Sequence, residues 1–217
     1  MKSISNYNLY LVTGEQRSAT KKTLEVVRLA INGGANIIQL RDKNMARSEL
    51  VSLGKKLSTL AKSKNIVFIV NDDPDLAAEL DADGVHLGQT DIEKYSVEKT
   101  RKLIGRNKII GLSTHSLEQI EQANKLDINY IAFGPLFETK TKNYSIGTRD
   151  LTKALSLSKF PLVCIGGINS NNIEEVLKLG ATNIAMIREI TESQDIEKKV
   201  KQLKSLITKY KKNADNN

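Results

Sequence analysis

Gly34-Ala35-Asn36-Ile37-Ile38, Asp81-Ala82-Asp83-Gly84-Val85, Asp127-Ile128-Asn129-Tyr130-Ile131 and Gly180-Ala181-Thr182-Asn183-Ile184 are four versions of one short pattern. Each leads into an apolar, β-rich run. The second residues of the four stand at positions 35, 82, 128 and 181, at near-even steps along the chain. Working outward from them, the β-rich runs are Leu9–Thr13, Ile37–Arg41, Val67–Asp72, Gly84–Gly88, Ile109–Ser113, Tyr130–Pro135, Pro161–Gly167 and Asn183–Arg188. The segments between them carry apolar residues at helical spacing, such as Leu50, Leu53, Leu57 and Leu60 within Ala46–Ser63. The others are Thr20–Asn32, Pro74–Leu80, Ser96–Ile104, Ser116–Leu126, Leu151–Leu157, Asn171–Leu179 and Ile196–Lys209. Strand and helix alternate throughout, which argues for parallel βαβ units. An open doubly wound sheet has no need of such even steps. The echo therefore reads as four quarter-barrels, and the chain as an α/β protein with a single (β/α)8 TIM barrel over residues 1–212 and a polar tail over 213–217.

Bulk composition narrows the functional classes. The 217 residues suit one barrel, and 40% hydrophobic with 27% charged residues is an ordinary balance for a chain with a sizeable core. No apolar stretch approaches the roughly 18 residues a membrane span requires. Met1–Tyr10 is short and mixed and carries no signal-peptide pattern. The one cysteine, Cys164, lies in an apolar run, which fits a reducing compartment and makes the cytoplasm the expected location. The net charge of +8 could attract nucleic acid, anionic membrane or phosphorylated small molecules. Much of the excess sits in Lys198–Lys212, a solvated lysine face, and with no Trp there is little base-stacking surface. Phosphorylated small molecules are the expected partners, with no nucleic acid or membrane, and a homo-oligomer stays open.

Active sites of such barrels lie at the C-terminal ends of the strands, so those ends carry the reading. The second ends Gln39-Leu40-Arg41-Asp42-Lys43. By alternation Ile38 and Leu40 face the helices while Gln39, Arg41 and Lys43 face the mouth. Polar groups inside an apolar strand are costly without a ligand or partner, and Arg with Lys suits a phosphate or diphosphate. The third strand ends Asn71-Asp72-Asp73-Pro74, where Asp73 reads as a helix cap, and the fourth is followed by Gln89-Thr90-Asp91. Asp72 and Asp91 on neighbouring strands could share a hard cation such as Mg2+, or simply make turns. Ser113 places a hydroxyl at the rim of the fifth strand. His115, just past it, is an acid, a substrate contact or a structural group. His86, inside the fourth strand, reads as a buried, hydrogen-bonded structural histidine. The longest irregular stretch, Leu136–Thr148, contains Thr139-Lys140-Thr141-Lys142, which suits an anion beneath a mobile loop or is simply solvated. Gly166-Gly167 closes the seventh strand where backbone N–H groups and a following helix favour a phosphate.

These motifs, in this order and over nearly the whole chain, resemble the thiamine-phosphate synthase family. The resemblance rests on Leu9–Thr13, Gln39–Lys43, Asn71-Asp72, Gly84–Gln89 with Asp91, Gly111–Ser116, Gly134–Phe137 with Thr139–Lys142, and Ile165–Ile168. It implies an enzyme that joins 4-amino-2-methyl-5-hydroxymethylpyrimidine diphosphate to a thiazole ethyl phosphate, releasing diphosphate, with Mg2+ as cofactor. By the same resemblance Gln39 contacts the aminopyrimidine, and Arg41, Lys43, Asn71 and Lys142 hold the diphosphate. Asp72 and Asp91 ligate the metal, and Ser113 sits by the pyrimidine and leaving group. Arg41, Lys43, Ser113 and Lys142 form the catalytic set. Thr139, Thr141, the Gly167 backbone and the Ile187–Arg188 step bind the thiazole phosphate.

Two departures stand out. Arg188-Glu189 replaces the family's Ser-Ala, which either adds a cation or disturbs the phosphate contact. Thr139-Lys140-Thr141 replaces Thr-Pro-Thr and loosens that loop. Two other readings exist. A thiazole tautomerase resembles the chain at Ser113–Glu118 and Phe137–Thr139 but tends to lack the diphosphate set. A non-catalytic phosphate-ligand barrel would not need the Asp72 and Asp91 pair.

Overall fold

A computed structural model describes residue 4, residues 8–14 and residues 22–215, with side chains to residue 212. Eight strands run β1 (Leu9–Val12), β2 (Ile37–Leu40), β3 (Val67–Asn71), β4 (Gly84–Leu87), β5 (Ile109–Thr114), β6 (Tyr130–Phe133), β7 (Leu162–Cys164) and β8 (Ile184–Met186). All pair in parallel in sequence order, and β8 pairs with β1, so the sheet is a closed barrel. The helices are α1 (Thr23–Gly33), α2 (Arg47–Ser63), α3 (Pro74–Glu79), α4 (Asp91–Lys94), α5 (Val97–Ile104), α6 (Leu117–Ala123), α7 (Leu151–Leu157), α8 (Ile173–Lys178), α9 (Arg188–Thr191) and α10 (Ile196–Asp215). Residues 20 and 21, where the first helix is expected to begin, lie outside the described residues.

Three differences from the sequence expectation have local causes. Two extra short helices, α4 and α9, follow β4 and β8 and carry Asp91 and Arg188 at their first positions. The seventh strand stops at Cys164 because Gly166 and Gly167 take φ of 100° and 66°, outside the extended region. The last helix continues to Asp215 rather than giving way to a tail at 213.

Each strand is buried on both faces, as parallel strands beneath crossover helices require. The alternation sorts side chains into two cores. Leu9, Leu11, Ile38, Leu40, Phe68, Val70, Ile110, Leu112, Ile131 and Phe133 point outward and pack under the helices. Tyr10, Val12, Ile37, Val67, Ile69, Ile109, Tyr130, Ala132, Val163 and Ala185 fill the interior. The α10 lysines lie opposite the buried Val200, Leu203 and Ile207, so the basic run is largely a solvated face.

The interior is crowded enough to dictate glycine at Gly111. A Cβ there would sit 2.0 Å from the Tyr130 ring, which is fully buried. Gly111 is paired across the ladder with Tyr130, so it is the space into which that ring fits. Gly111→Ala should therefore destabilise the fold by about 1–3 kcal/mol, the cost of overpacking a dense core. Thermal melting checks this, and a melting temperature equal to that of the parent would show that the ring can move aside.

Candidate active site

The C-terminal ends of the strands open into a cavity of about 800 Å3. Every residue singled out from the sequence lines it: Gln39, Arg41, Lys43, Asn71, Asp72, Asp91, Ser113, Thr139, Thr141, Lys142, Gly167, Ile187 and Arg188. Strand alternation accounts for Gln39, Asn71 and Ser113, which share the inward face with the interior core. Arg41 is held at the rim by Thr13, whose hydroxyl accepts from the Arg41 N–H at 2.8 Å and donates to the Arg41 carbonyl at 2.9 Å.

Asp72 leaves β3 with φ of 61°, a left-handed conformation that Asp tolerates better than most residues. Its carboxylate accepts from Asn71 Nδ2 at 2.5 Å and lies 4.0 Å from Lys43 Nζ. Burial, and then the neighbouring Asp91 carboxylate, push Asp72 up to about 6. Asp91 accepts from the Gly88 N–H at 3.2 Å, which turns it toward Asp72. Two half-buried carboxylates forced together repel each other unless a proton or a cation intervenes. Among the described residues no cluster of three or more His, Cys, Asp or Glu could hold a metal. A two-carboxylate site fits Mg2+, which is usually held by one or two carboxylates with substrate phosphates completing its shell. Asp73, by contrast, caps α3 by accepting from the Leu76 N–H at 2.8 Å.

His86 is buried and neutral, its pKa lowered to about 4 by desolvation. Its Nδ1 lies 2.9 Å from the Tyr130 hydroxyl and its Nε2 2.9 Å from Ser113 Oγ. It is the hydrogen-bonded interior histidine that its position inside the strand suggests. His115 anchors the rim. Its Nδ1 donates to the Gly134 carbonyl at 2.5 Å, and its ring meets Tyr144 edge-on at 5.9 Å. It therefore links β5 to the loop that follows β6.

That loop is tied down at both ends and exposed between them. Leu136 and Phe137 N–H groups donate to the Ile165 and Gly166 carbonyls at 3.0 Å each, and the Ile146 N–H donates to the Pro135 carbonyl at 2.8 Å. Thr141 and Lys142 project from the exposed middle. Gly167 is required where the loop crosses, because a Cβ would lie 2.5 Å from the Glu138 carbonyl oxygen. The Arg188-Glu189 departure resolves as two separate contacts. Arg188 Nη2 donates to Thr139 Oγ1 at 2.8 Å and so bridges the start of α9 and the loop. Glu189 pairs with Lys199 Nζ at 2.9 Å and also accepts from Ser170. Burial opposes ionisation of Glu189, but those two partners outweigh it and hold its pKa below the ordinary value. The added carboxylate is thus neutralised by α10, and the added guanidinium remains at the cavity wall.

The sequence reading missed Tyr10 and Tyr130. Both point into the barrel, and their hydroxyls are 3.0 Å apart. A signal existed, since an inward-facing Tyr inside an apolar strand needs a partner for its hydroxyl. It also missed Gln89, whose Nε2 donates to the Ser113 carbonyl and holds the end of β5.

A closed parallel barrel whose polar side chains converge at the C-terminal strand ends is the layout of a (β/α)8-barrel enzyme. The family model described as Thiamine monophosphate synthase matches residues 9–190. The thiamine-phosphate synthase of Halalkalibacterium halodurans is 41% identical over 195 residues, 88% of this chain and 91% of that one. That of Dictyoglomus thermophilum is 40% identical over 209 residues, 95% and 92% of the two chains. The solved thiamine phosphate pyrophosphorylase of Pyrococcus furiosus superposes with a TM-score of 0.85 at 36% identity, covering 95% of this chain and 98% of that one. The (S)-3-O-geranylgeranylglyceryl phosphate synthase from Thermoplasma acidophilum, 12% identical with a TM-score of 0.69 over 96% of this chain and 100% of that one, shares the fold alone. The chain belongs to the thiamine monophosphate synthase family and is a transferase of thiamine biosynthesis.

The carboxylate pair makes a prediction about stability. The Asp72 pKa in the fold, about 6, lies above its ordinary 3.8. Its protonated form therefore favours the fold at pH below 3.8, and that contribution is lost as pH rises through 6. In chelator at pH well above 6, Asp72→Asn should melt higher than the parent, with the gap closing as pH falls. A lower melting temperature across that range would mean that the carboxylate is stabilised where it sits.

Proposed function

We propose that this protein condenses 4-amino-2-methyl-5-hydroxymethylpyrimidine diphosphate with 4-methyl-5-(2-phosphoethyl)thiazole, or its carboxylated precursor, to give thiamine phosphate and diphosphate, with CO2 also released from the carboxylated precursor. The observation that supports the reading is that two groups of residues suited to anions line one cavity. On one side Arg41, Lys43 and Asn71 surround the Asp72 and Asp91 pair. On the other Thr139, Gly167, Ile187 and Arg188 meet. Two phosphorylated substrates need two such ends, and a cavity of about 800 Å3 admits both at once.

In this reading Asp72 and Asp91 would hold Mg2+, which would offset negative charge on the diphosphate. Arg41, Lys43 and Lys142 supply fixed positive charge to the same oxygens, which is most effective in a site already organised before the bond breaks. The bond between the pyrimidine methylene and the diphosphate oxygen breaks. The thiazole nitrogen then bonds to the methylene carbon, and the diphosphate leaves. Gln39 faces the aminopyrimidine, and Ser113 lies between pyrimidine and leaving group. The phosphate of the thiazole sits against the Gly167 and Ile187–Arg188 backbone, with Thr139 and Thr141 reaching it from the loop. Arg188, held by Thr139, adds a cation to this end that charge-assisted contacts with phosphate would use. The lone thiol, Cys164, is pushed up to about 12 by burial and is inert, which suits a cytoplasmic setting. No helix among the described residues is long and apolar enough to cross a membrane.

Purified protein with Mg2+ and both substrates should form thiamine phosphate and release diphosphate in equal amounts. No product under those conditions would sink the reading. Asp72→Asn should lower turnover roughly a hundredfold or more, the scale of lost metal-assisted charge stabilisation. Arg188→Ser should raise KM for the thiazole phosphate about tenfold with a smaller change in kcat, as expected for one lost charge-assisted contact. Unchanged KM would take Arg188 out of the phosphate end.

A further inference from the structure

An unbroken line of polar side chains crosses the barrel interior from β2 to β5. Gln39 Nε2 donates to the Tyr10 hydroxyl at 2.7 Å, and the Tyr10 and Tyr130 hydroxyls are 3.0 Å apart. The Tyr130 hydroxyl is 2.9 Å from His86 Nδ1, and His86 Nε2 is 2.9 Å from Ser113 Oγ. Gln39, Tyr10, Tyr130 and His86 are all buried, and Ser113 stands half-buried on the cavity wall.

The hydrogens along this line can be counted. Each hydroxyl carries one, and a neutral imidazole carries one on a single nitrogen. Burial holds His86 neutral. Once Gln39 donates to Tyr10, one arrangement gives every interior hydroxyl hydrogen an acceptor within the line. Tyr10 donates to Tyr130, Tyr130 donates to His86 Nδ1, and His86 Nε2–H donates to Ser113 Oγ. In the opposite sense Tyr10 would receive two hydrogens and keep its own with no acceptor in the line, in an interior where an unpaired polar group is costly.

We infer that this line is a positioning device of fixed polarity: Tyr10, Tyr130 and His86 hold Ser113 so that its hydroxyl hydrogen is offered to an acceptor on the pyrimidine diphosphate. His86 takes no proton from the substrate. It supplies a hydrogen bond that occupies a lone pair of Ser113 and turns the O–H outward. Tyr10, Tyr130 and His86 are positioning residues that act through Ser113. The ring contacts keep them in register, with His86 stacked on Tyr130 at 5.5 Å and Tyr10 edge-on to Tyr130 at 6.1 Å. The inference rests on the proposed placing of Ser113 beside the pyrimidine diphosphate.

Long-range proton–nitrogen NMR reads the polarity directly. The chain has two histidines, so the His115→Asn variant leaves His86 as the one imidazole in the spectrum. The expected result is a protonated Nε2 with a bare Nδ1. A protonated Nδ1 would mean that the line runs the other way, with Ser113 donating to His86, and would overturn the inference. Tyr130→Phe removes the donor to Nδ1 while keeping the ring. It should allow the second tautomer to appear and lower kcat about tenfold, one misdirected hydrogen bond, with KM for the thiazole phosphate unchanged. On a Ser113→Ala background the same change should cost nothing further. Losses that multiply, or full activity in Tyr130→Phe, would show that Tyr130 does not act through Ser113. Should Tyr130→Phe fail to fold, Tyr10→Phe leaves the Tyr130 hydroxyl with His86 Nδ1 as its one acceptor in the line, so the Nε2–H tautomer should persist there, and its loss would overturn the inference. If the parent protein makes no thiamine phosphate, the functional reading fails, while the tautomer still decides the polarity.

Discussion

The pairing of β8 with β1 is the constraint on which the rest of the structure depends. It leaves no open sheet edge, so backbone hydrogen bonds are satisfied around the whole ring. It also brings the C-terminal ends of eight strands to one rim. Residues as far apart in sequence as Arg41 and Arg188 come to line one cavity. Closure also creates an interior that parallel strands would otherwise lack. Tyr130 fills that space only because Gly111, opposite it in the ladder, has no side chain.

Charge at the rim is arranged in compensating groups. Burial, and then the Asp91 carboxylate, raise the Asp72 pKa, and Lys43 Nζ lies 4.0 Å from the same carboxylate. At the other end Glu189 would oppose a phosphate, but Lys199 and Ser170 occupy it. Arg188 turns instead to Thr139, so its cation becomes a bridge between the start of α9 and the loop after β6. The loop combines anchored ends with an exposed centre, the arrangement expected of a segment that closes over a ligand. Gln39, Tyr10, Tyr130 and His86 of the polar line are buried in the interior, and Ser113 at its end is half-buried.

The sequence by itself determined the architecture. Eight apolar runs alternating with helical patterns, and an echo at positions 35, 82, 128 and 181, follow directly from period and spacing, because each βα unit must bury both faces of its strand. Side-chain alternation likewise determined that Gln39 and Arg41 face the mouth of the barrel. What the tertiary structure alone decided involves residues distant in the chain. The left-handed turn at Asp72, the repulsion that links it to Asp91, the diversion of Glu189 to Lys199 and the ends of β7 and β8 all depend on neighbours that no local pattern names. The line from Gln39 through Tyr10, Tyr130 and His86 to Ser113 is the clearest case. Its members come from five strands, and the Tyr10–Tyr130 contact joins β1 to β6 across the interior, which only closure of the ring brings together. Periodicity says which way a side chain points, but closure alone decides what it meets.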